Sequence, residues 1–205
     1  MTVYTVATDI AAQLRWDFVT NTQTFSSPLA ASEQQAELPG ARFTATLTYT
    51  NLSASVQRPL MSLLAKLRGT AGRCYLPIAP AFPRQGAGGG TPLVNGADQT
   101  GRTLVIDGAT PNITGWLKDG DYFHVDAGGL RELHILTEDA NSDSSGNVTL
   151  TFEPPLRNSP VDNAAVEIDN PSAMMRLLDD NQVGFTFKPG RHSDGTAKFI
   201  EAFPT

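Results

Sequence analysis

Three histidines, one cysteine and several close carboxylates are the residues of this chain whose types could do chemistry. His124 and His134 fall in adjacent strand-like segments, near enough in principle to share a metal. Zinc requires three or four ligands, and no fixed spacing supplies the others. His192, Ser193 and Asp194 are the residue types of a hydrolytic triad. Consecutive residues in a turn do not line up base, nucleophile and orienting carboxylate, and no Gly-x-Ser-x-Gly elbow occurs. Asp139, Asn141 and Asp143 open like a calcium loop. The sixth position is then Ser144 instead of glycine, and the twelfth is Leu150 instead of a bidentate Glu. Gln85 to Thr91 has the glycines of a phosphate loop, but neither the Lys-Ser/Thr that should follow nor a helix to open. The pairs Asp119 and Asp121, Glu138 and Asp139, and Asp179 and Asp180 fall in turn sequences, where Asp bonds its own backbone. These patterns predict no catalytic residue, no cofactor and no metal site.

The elements around these residues are mostly strands. Arg42 to Tyr49 alternates, with Phe43, Ala45, Leu47 and Tyr49 on one face and Arg42, Thr44, Thr46 and Thr48 on the other. Val148, Leu150 and Phe152 repeat the pattern, as do Val183, Phe185 and Phe187. Shorter strands are expected over Leu14–Thr20, Thr103–Asp107, Asp121–Asp126, Leu130–Thr137, Ala164–Ile168 and Ala197–Phe203, divided by Gly- and Asp-rich turns such as Lys118 to Asp121 and Lys188 to Gly190. Ser172–Leu178 reads as either helix or strand. One segment has helical spacing: Val56, Leu60, Leu63, Leu64 and Leu67 predict a helix over residues 55–68. Ser55 is its expected cap, Pro59 its first-turn proline and Gly69 its left-handed stop.

Pro77 to Pro92, rich in glycine and proline, reads as a long exposed connection. After it, short strands at regular spacing suggest a small barrel or sandwich. The fold class expected is therefore mainly β. Residues 1–90 and 170–205 form a discontinuous β-sandwich-like domain with one helix, and residues 91–169 form an inserted β-barrel-like peripheral domain.

The chain has 205 residues, 15 Lys and Arg against 21 Asp and Glu, and a net charge of −6. No basic footprint for nucleic acid follows from that balance. Cys74 is the single cysteine, so no internal disulfide or thiolate zinc cluster is expected. No apolar run is long enough to cross a bilayer, and Met1 to Ala12 does not read as a secretory signal. Folding in a reducing cytoplasm is expected. Charged residues make up only 18% of the chain, against about 25% in a typical domain, which suggests faces covered by partners. Most aromatics in a β protein are core; for those that face outward, Trp16, Phe18, Phe25, Trp116 and Tyr122 are the candidate oligomer-interface or surface-binding residues.

Several motifs occur in a telling order. Ser27-Pro28-Leu29-Ala30-Ala31-Ser32-Glu33-Gln34-Gln35 leads to Leu38-Pro39-Gly40-Ala41-Arg42-Phe43, then a strand and a leucine-rich helix ending in Leu67-Arg68-Gly69. Gly72-Arg73-Cys74-Tyr75 follows, and later Asn95 to Gly101, Leu117-Lys118-Asp119-Gly120-Asp121 and Glu153-Pro154-Pro155-Leu156-Arg157. This order resembles the structural proteins of tailed bacteriophages, particularly distal tail proteins of long flexible-tailed phages. The resemblance covers most of the chain through turn- and strand-like motifs. It implies a non-enzymatic virion protein, assembled in the host bacterial cytoplasm and located at the tail tip. There it would form a homohexameric ring joining the tail tube protein above to the baseplate hub protein below. The pattern departs from the family in that the second domain is inserted before the final hairpin, not appended. The alternative is a carbohydrate- or receptor-binding β module that grips a host-surface glycan through Trp116 and Tyr122.

Overall fold

The computed structural model describes residues 3–78, 81–127, 129–181, 184–189 and 192–203. Val183 and Gly190, parts of an expected strand and turn, lie outside the described residues. In chain order the first strands are β1 (Tyr4–Thr5), β2 (Gln13–Val19), β3 (Thr22–Ser26), β4 (Glu33–Glu37) and β5 (Arg42–Ser53). The helix α1 (Ala54–Lys66) follows, then β6 (Cys74–Pro77). The middle of the chain gives β7 (Gly90–Val94), β8 (Gly101–Ala109), β9 (Tyr122–Ala127), β10 (Leu130–Leu136), β11 (Val148–Leu156) and β12 (Val166–Glu167). The last strands are β13 (Ser172–Leu177), β14 (Phe185–Lys188) and β15 (His192–Glu201). Among the described residues the protein is mainly β with one α-helix.

The two ends of the chain meet in a seven-stranded sheet of order β1-β6-β13-β15-β5-β2, with β14 beside β15. Alternation along β5, which lies between β15 and the edge strand β2, sets how it packs. Phe43, Ala45, Leu47 and Tyr49 are buried while the threonines between them are half-buried, so one face of the strand makes core. The ambiguous segment 172–178 is strand. Its residues Ala173, Met175 and Leu177 enter the same core, a burial that outweighs the helix propensity of Ala, Met and Leu.

Against that sheet lies α1, burying Leu60 and Leu64, with Leu67 just past its end. Each such leucine contributes about 1.5–3 kcal/mol by leaving water. The ends of the helix differ from expectation. Ser53, not Ser55, is the N-cap, and it makes no side-chain cap bond; its hydroxyl instead meets that of Ser55 at 2.9 Å. Pro59 is then the sixth helical residue, beyond the first turn. The stop is shared, because Arg68 (φ 52°) and Gly69 (φ +66°) both adopt the left-handed conformation. Asp180 Oδ1 accepts from Thr70 N at 2.8 Å just beyond.

The middle of the chain forms a six-stranded sheet of order β12-β9-β10-β11-β8-β7. It almost closes on itself. Leu93 bridges Ala165, while Val94 N donates to Ala164 O and Asn163 N to Val94 O, both at 2.9 Å. Inside the barrel are Trp116, Phe123, Leu136, Leu150 and Phe152. One strand serves both cores. Leu136 of β10 packs inside the barrel, whereas Leu133 packs with the seven-stranded sheet. That dual duty explains why β10 is buried on both faces.

Five short strands escape the sequence patterns: β1, β6, β7 and the β3–β4 pair. The first two are too short to show alternation, and β7 begins inside the glycine run. The connection before β7 is also less free than expected. Asp121, almost fully buried, accepts from Gln85 N (2.7 Å), Gly86 N (2.9 Å) and Lys118 N (2.9 Å). Gly86 passes so close to the barrel that an added Cβ would meet Leu117 Cα at 2.5 Å. A glycine there allows backbone to pack on backbone.

Candidate functional site

The β3–β4 pair is the most exposed structure in the described chain, and it grows out of the sheet. Strands β2 and β5 pair antiparallel down to Val19 opposite Arg42. Past that point the ladder is interrupted, and two hydrogen bonds bridge the gap to a separate two-stranded sheet. Leu38 N donates to Asn21 O, and Asn21 Nδ2 donates to Pro39 O, each at 2.8 Å. Pairing then resumes from Thr22 opposite Glu37 to Ser26 opposite Glu33. At the tip Ser27 N bonds Ser32 O (2.9 Å) and Ala31 N bonds Ser27 O (3.0 Å). The result is a two-stranded arm whose ten strand residues are all exposed. At its root Glu37 is ion-paired to Arg102, which also holds Glu153 of the barrel.

This arm carries apolar side chains into water. Leu29 at the tip is 97% exposed and Phe25 is 54% exposed. Phe18, Val19 and Leu38 continue the exposed apolar surface toward the root. A two-stranded hairpin without a packed face is marginal by itself, and both of its edges offer unpaired N–H and C=O groups. Arrangement and composition alike suit contact with another surface.

The five aromatic candidates divide among three places. Trp16 stands edge-on to Phe43, with ring centroids 6.1 Å apart, and Phe18 lies 5.2 Å from the same ring. Tyr122 is half-buried between Phe43 (6.2 Å) and Phe82 (6.0 Å), and burial raises the pKa of its hydroxyl. Phe25 is on the arm. Trp116, a candidate for surface binding, is core instead. It is 0% exposed in the barrel core, and its Nε1 donates to Gly89 O at 3.0 Å. The barrel needed a large side chain at its centre, so Trp116 offers no platform for a sugar.

A second constellation, unseen in the sequence, lies between barrel and sheet. Arg157 at the end of β11 reaches across to Glu201 of β15, donating from Nη1 at 2.8 Å and Nη2 at 2.9 Å. Its Nη2 also donates to Ala41 O at 2.8 Å, and its guanidinium lies 4.1 Å from the Phe203 ring. Glu201, 2% exposed, accepts in turn from Phe43 N at 3.1 Å. Glu132 of β10 accepts from the backbone N–H groups of Arg157 (3.0 Å) and Asn158 (3.2 Å) and from Asn158 Nδ2 (2.8 Å). Arg131 donates to Ser172 Oγ at 3.0 Å and covers the Tyr75 ring at 4.0 Å. Period-two alternation places Glu132 and His134 on one face of β10, but pairing with Arg157 depends on a distant strand.

His124 and His134 are engaged in structure. His124 Nδ1 accepts from Ser172 N at 3.1 Å. His134 Nδ1 is 2.8 Å from Pro154 O, and its ring stacks on Phe123. Burial, helped by the nearby Arg131 charge, lowers the His124 pKa to about 3. Burial lowers that of His134 to about 3 as well, with Arg157 and His124 adding to the effect against the bond to Pro154. Both rings are therefore neutral near pH 7. Asp194 accepts from Asn51 N at 2.8 Å and pairs with Lys188, while Ser193 is buried on β15. Asp143 closes its own turn, accepting from Ser145 N and Asn147 N at 2.8 Å. Burial pushes the Cys74 thiol up to about 12. Among the described residues no group of three or more His, Cys, Asp and Glu is placed to hold a metal ion. No described helix is long and apolar enough to cross a membrane.

The chain matches no family model and no curated protein.

Proposed function

We propose that this protein is a non-enzymatic structural subunit that joins copies of itself into a ring. In this reading the ring is a phage tail tip linking the tail tube to the baseplate hub. The observation that carries the assembly role is the arm, a separate two-stranded sheet beyond the β2–β5 ladder that holds Phe25 and Leu29 in water. Such a surface costs solubility unless a neighbour covers it. The arm leaves from the Arg42 end of β5, and its root is ion-paired to the barrel through Arg102. A contact between unlike surfaces is head-to-tail, and repeated rotation closes it into a ring. The buried Arg157–Glu201 junction supports the same role, because a ring subunit must hold its peripheral barrel at a fixed angle.

The tail-tip placement rests on the order of motifs from Ser27 to Arg157. Reading the protein as a glycan-binding module is weaker, since Trp116 is in the core and Tyr122 is wedged between Phe43 and Phe82. Negative-stain imaging of the purified chain at high concentration tests the proposal. Six-fold rings are expected. Particles of single-subunit size at every concentration would sink it.

A further inference from the structure

We infer that Arg102 is an electrostatic catch that sets the angle of the arm, and that the arm turns at its root when the catch is released. This rests on the reading of the arm as the contact surface and adds what orients it for a partner. Arg102 of β8 stands between two carboxylates from different units. Its Nη2 faces Glu37, the last residue of β4, and its Nε faces Glu153 of β11. One guanidinium can hold both, because its five N–H donors fan out in a fixed plane. The side chains of Arg102 and Glu37 are both exposed, so water and salt reach the contact.

The turning point lies in the gap between the two ladders. Strands β2 and β5 pair as far as Val19 opposite Arg42, and β3 and β4 pair from Thr22 opposite Glu37. Thr20 and Asn21 on one leg, and Leu38 to Ala41 on the other, belong to neither ladder. The hydrogen bonds of Leu38 N and Asn21 Nδ2 tie these legs to each other and not to the barrel. Ala41 is fixed to the body, its carbonyl accepting from Arg157 Nη2 at 2.8 Å. Just before it Gly40 takes φ +113°, a conformation that glycine adopts freely. Leu38, Pro39 and Gly40 share with Arg102 and Pro155 the lining of a cleft of about 240 Å³, so open space separates this part of the root from the barrel. All ten strand residues of the arm are exposed. No apolar packing of those strands fixes the angle, which leaves the charge contact at Glu37 to do so.

The catch has two settings. With Arg102 in place, one cation lies between two anions and draws the root to the barrel. Without it, Glu37 and Glu153 are like charges on neighbouring units and push the root away. An exposed ion pair is weak, so ionic strength moves the balance. The Debye length falls from about 30 Å at about 10 mM salt to about 3 Å at about 1 M. At high salt the attraction fades and the root is free to turn, which makes presentation of the arm to a neighbour salt-dependent.

Spin labels test the catch. Leu29→Cys on the arm tip and Val161→Cys on the barrel both fall at exposed positions, and the native Cys74 is buried away from the reagent. Doubly labelled chain is diluted into excess unlabelled chain, so that pulsed dipolar spectroscopy reads distances within one subunit. At about 10 mM salt a single narrow distance distribution is expected, and at about 1 M it should broaden. Glu37→Gln and Arg102→Gln should each give the broad distribution at both salt levels. Thermal unfolding should be nearly unchanged in each, since both side chains are exposed. A distribution that stays narrow at high salt or in either variant overturns the catch, as does one already broad at low salt with Arg102 and Glu37 intact. Sedimentation of the unlabelled chain judges the ring reading separately. A monomer there overturns the ring, while the distances within one subunit still decide the catch.

Discussion

Arg157 holds Glu201 with two charge-assisted hydrogen bonds, 2.8 and 2.9 Å long, between a strand of the barrel and the central region of the other sheet. Glu201 is 2% exposed, so neither water nor a mobile surface charge can replace its partner. Removing one member of such a pair leaves a buried charge uncompensated, at a typical cost of about 3–5 kcal/mol. Arg157→Ala should therefore lower stability by an amount in that range, measured by urea denaturation. The double variant Arg157→Met, Glu201→Leu should recover most of the loss. Equal losses in the single and double variants would show that the pair is not what holds the junction.

Acid should weaken the fold through the two buried histidines. Their folded-state pKa values are about 3, against 6.5 for the free side chain. The unfolded chain therefore binds more protons between these values, and stability rises with pH across that interval. The histidine contribution is complete above about pH 6.5 and is lost as pH falls toward 3. His134→Leu should flatten the dependence of the urea midpoint between pH 7 and pH 4.5. An unchanged slope would mean that His134 is not buried neutral.

Asp121 organises the glycine-rich connection through three backbone N–H groups. Asp121→Ala should strip all three of their acceptor, at about 1–3 kcal/mol for each group left buried and unsatisfied. Hydrogen exchange should accelerate at the amides of Gln85, Gly86 and Lys118 before it does elsewhere in the barrel. Uniform acceleration across the barrel would deny Asp121 this local role.

Trp116 should behave as core. Its emission should be blue-shifted and resistant to acrylamide in a Trp16→Phe background, because the ring is 0% exposed. Trp116→Ala should cost about 3–5 kcal/mol as a large-to-small change in a packed interior. Ready quenching would return Trp116 to the surface.

What the sequence made legible was the regular part. Phe43 to Tyr49 alternates because β5 has one buried face, and the Leu60–Leu64–Leu67 stripe appears because α1 crosses that face. The arm escaped notice for the opposite reason. Glu33-Gln34-Gln35-Ala36-Glu37 has poor strand propensity and no buried face, and its pairing is inherited from the β2–β5 ladder. Trp116 shows the limit of residue type, since most aromatics in a β protein are core but type alone does not say which one is not. The Arg157–Glu201–Glu132 junction was beyond reach, because 44 residues separate Arg157 from Glu201 and no local pattern joins them.

The assembly itself is tested most directly by native mass spectrometry of the intact chain beside the variant Phe25→Asp, Leu29→Asp. Both changes fall on exposed arm residues, so thermal unfolding of the subunit should be nearly unchanged. The intact chain should give a hexamer mass, and the variant should give the monomer. An intact chain that remains monomeric, or a variant that still forms the hexamer, would contradict assembly through the arm.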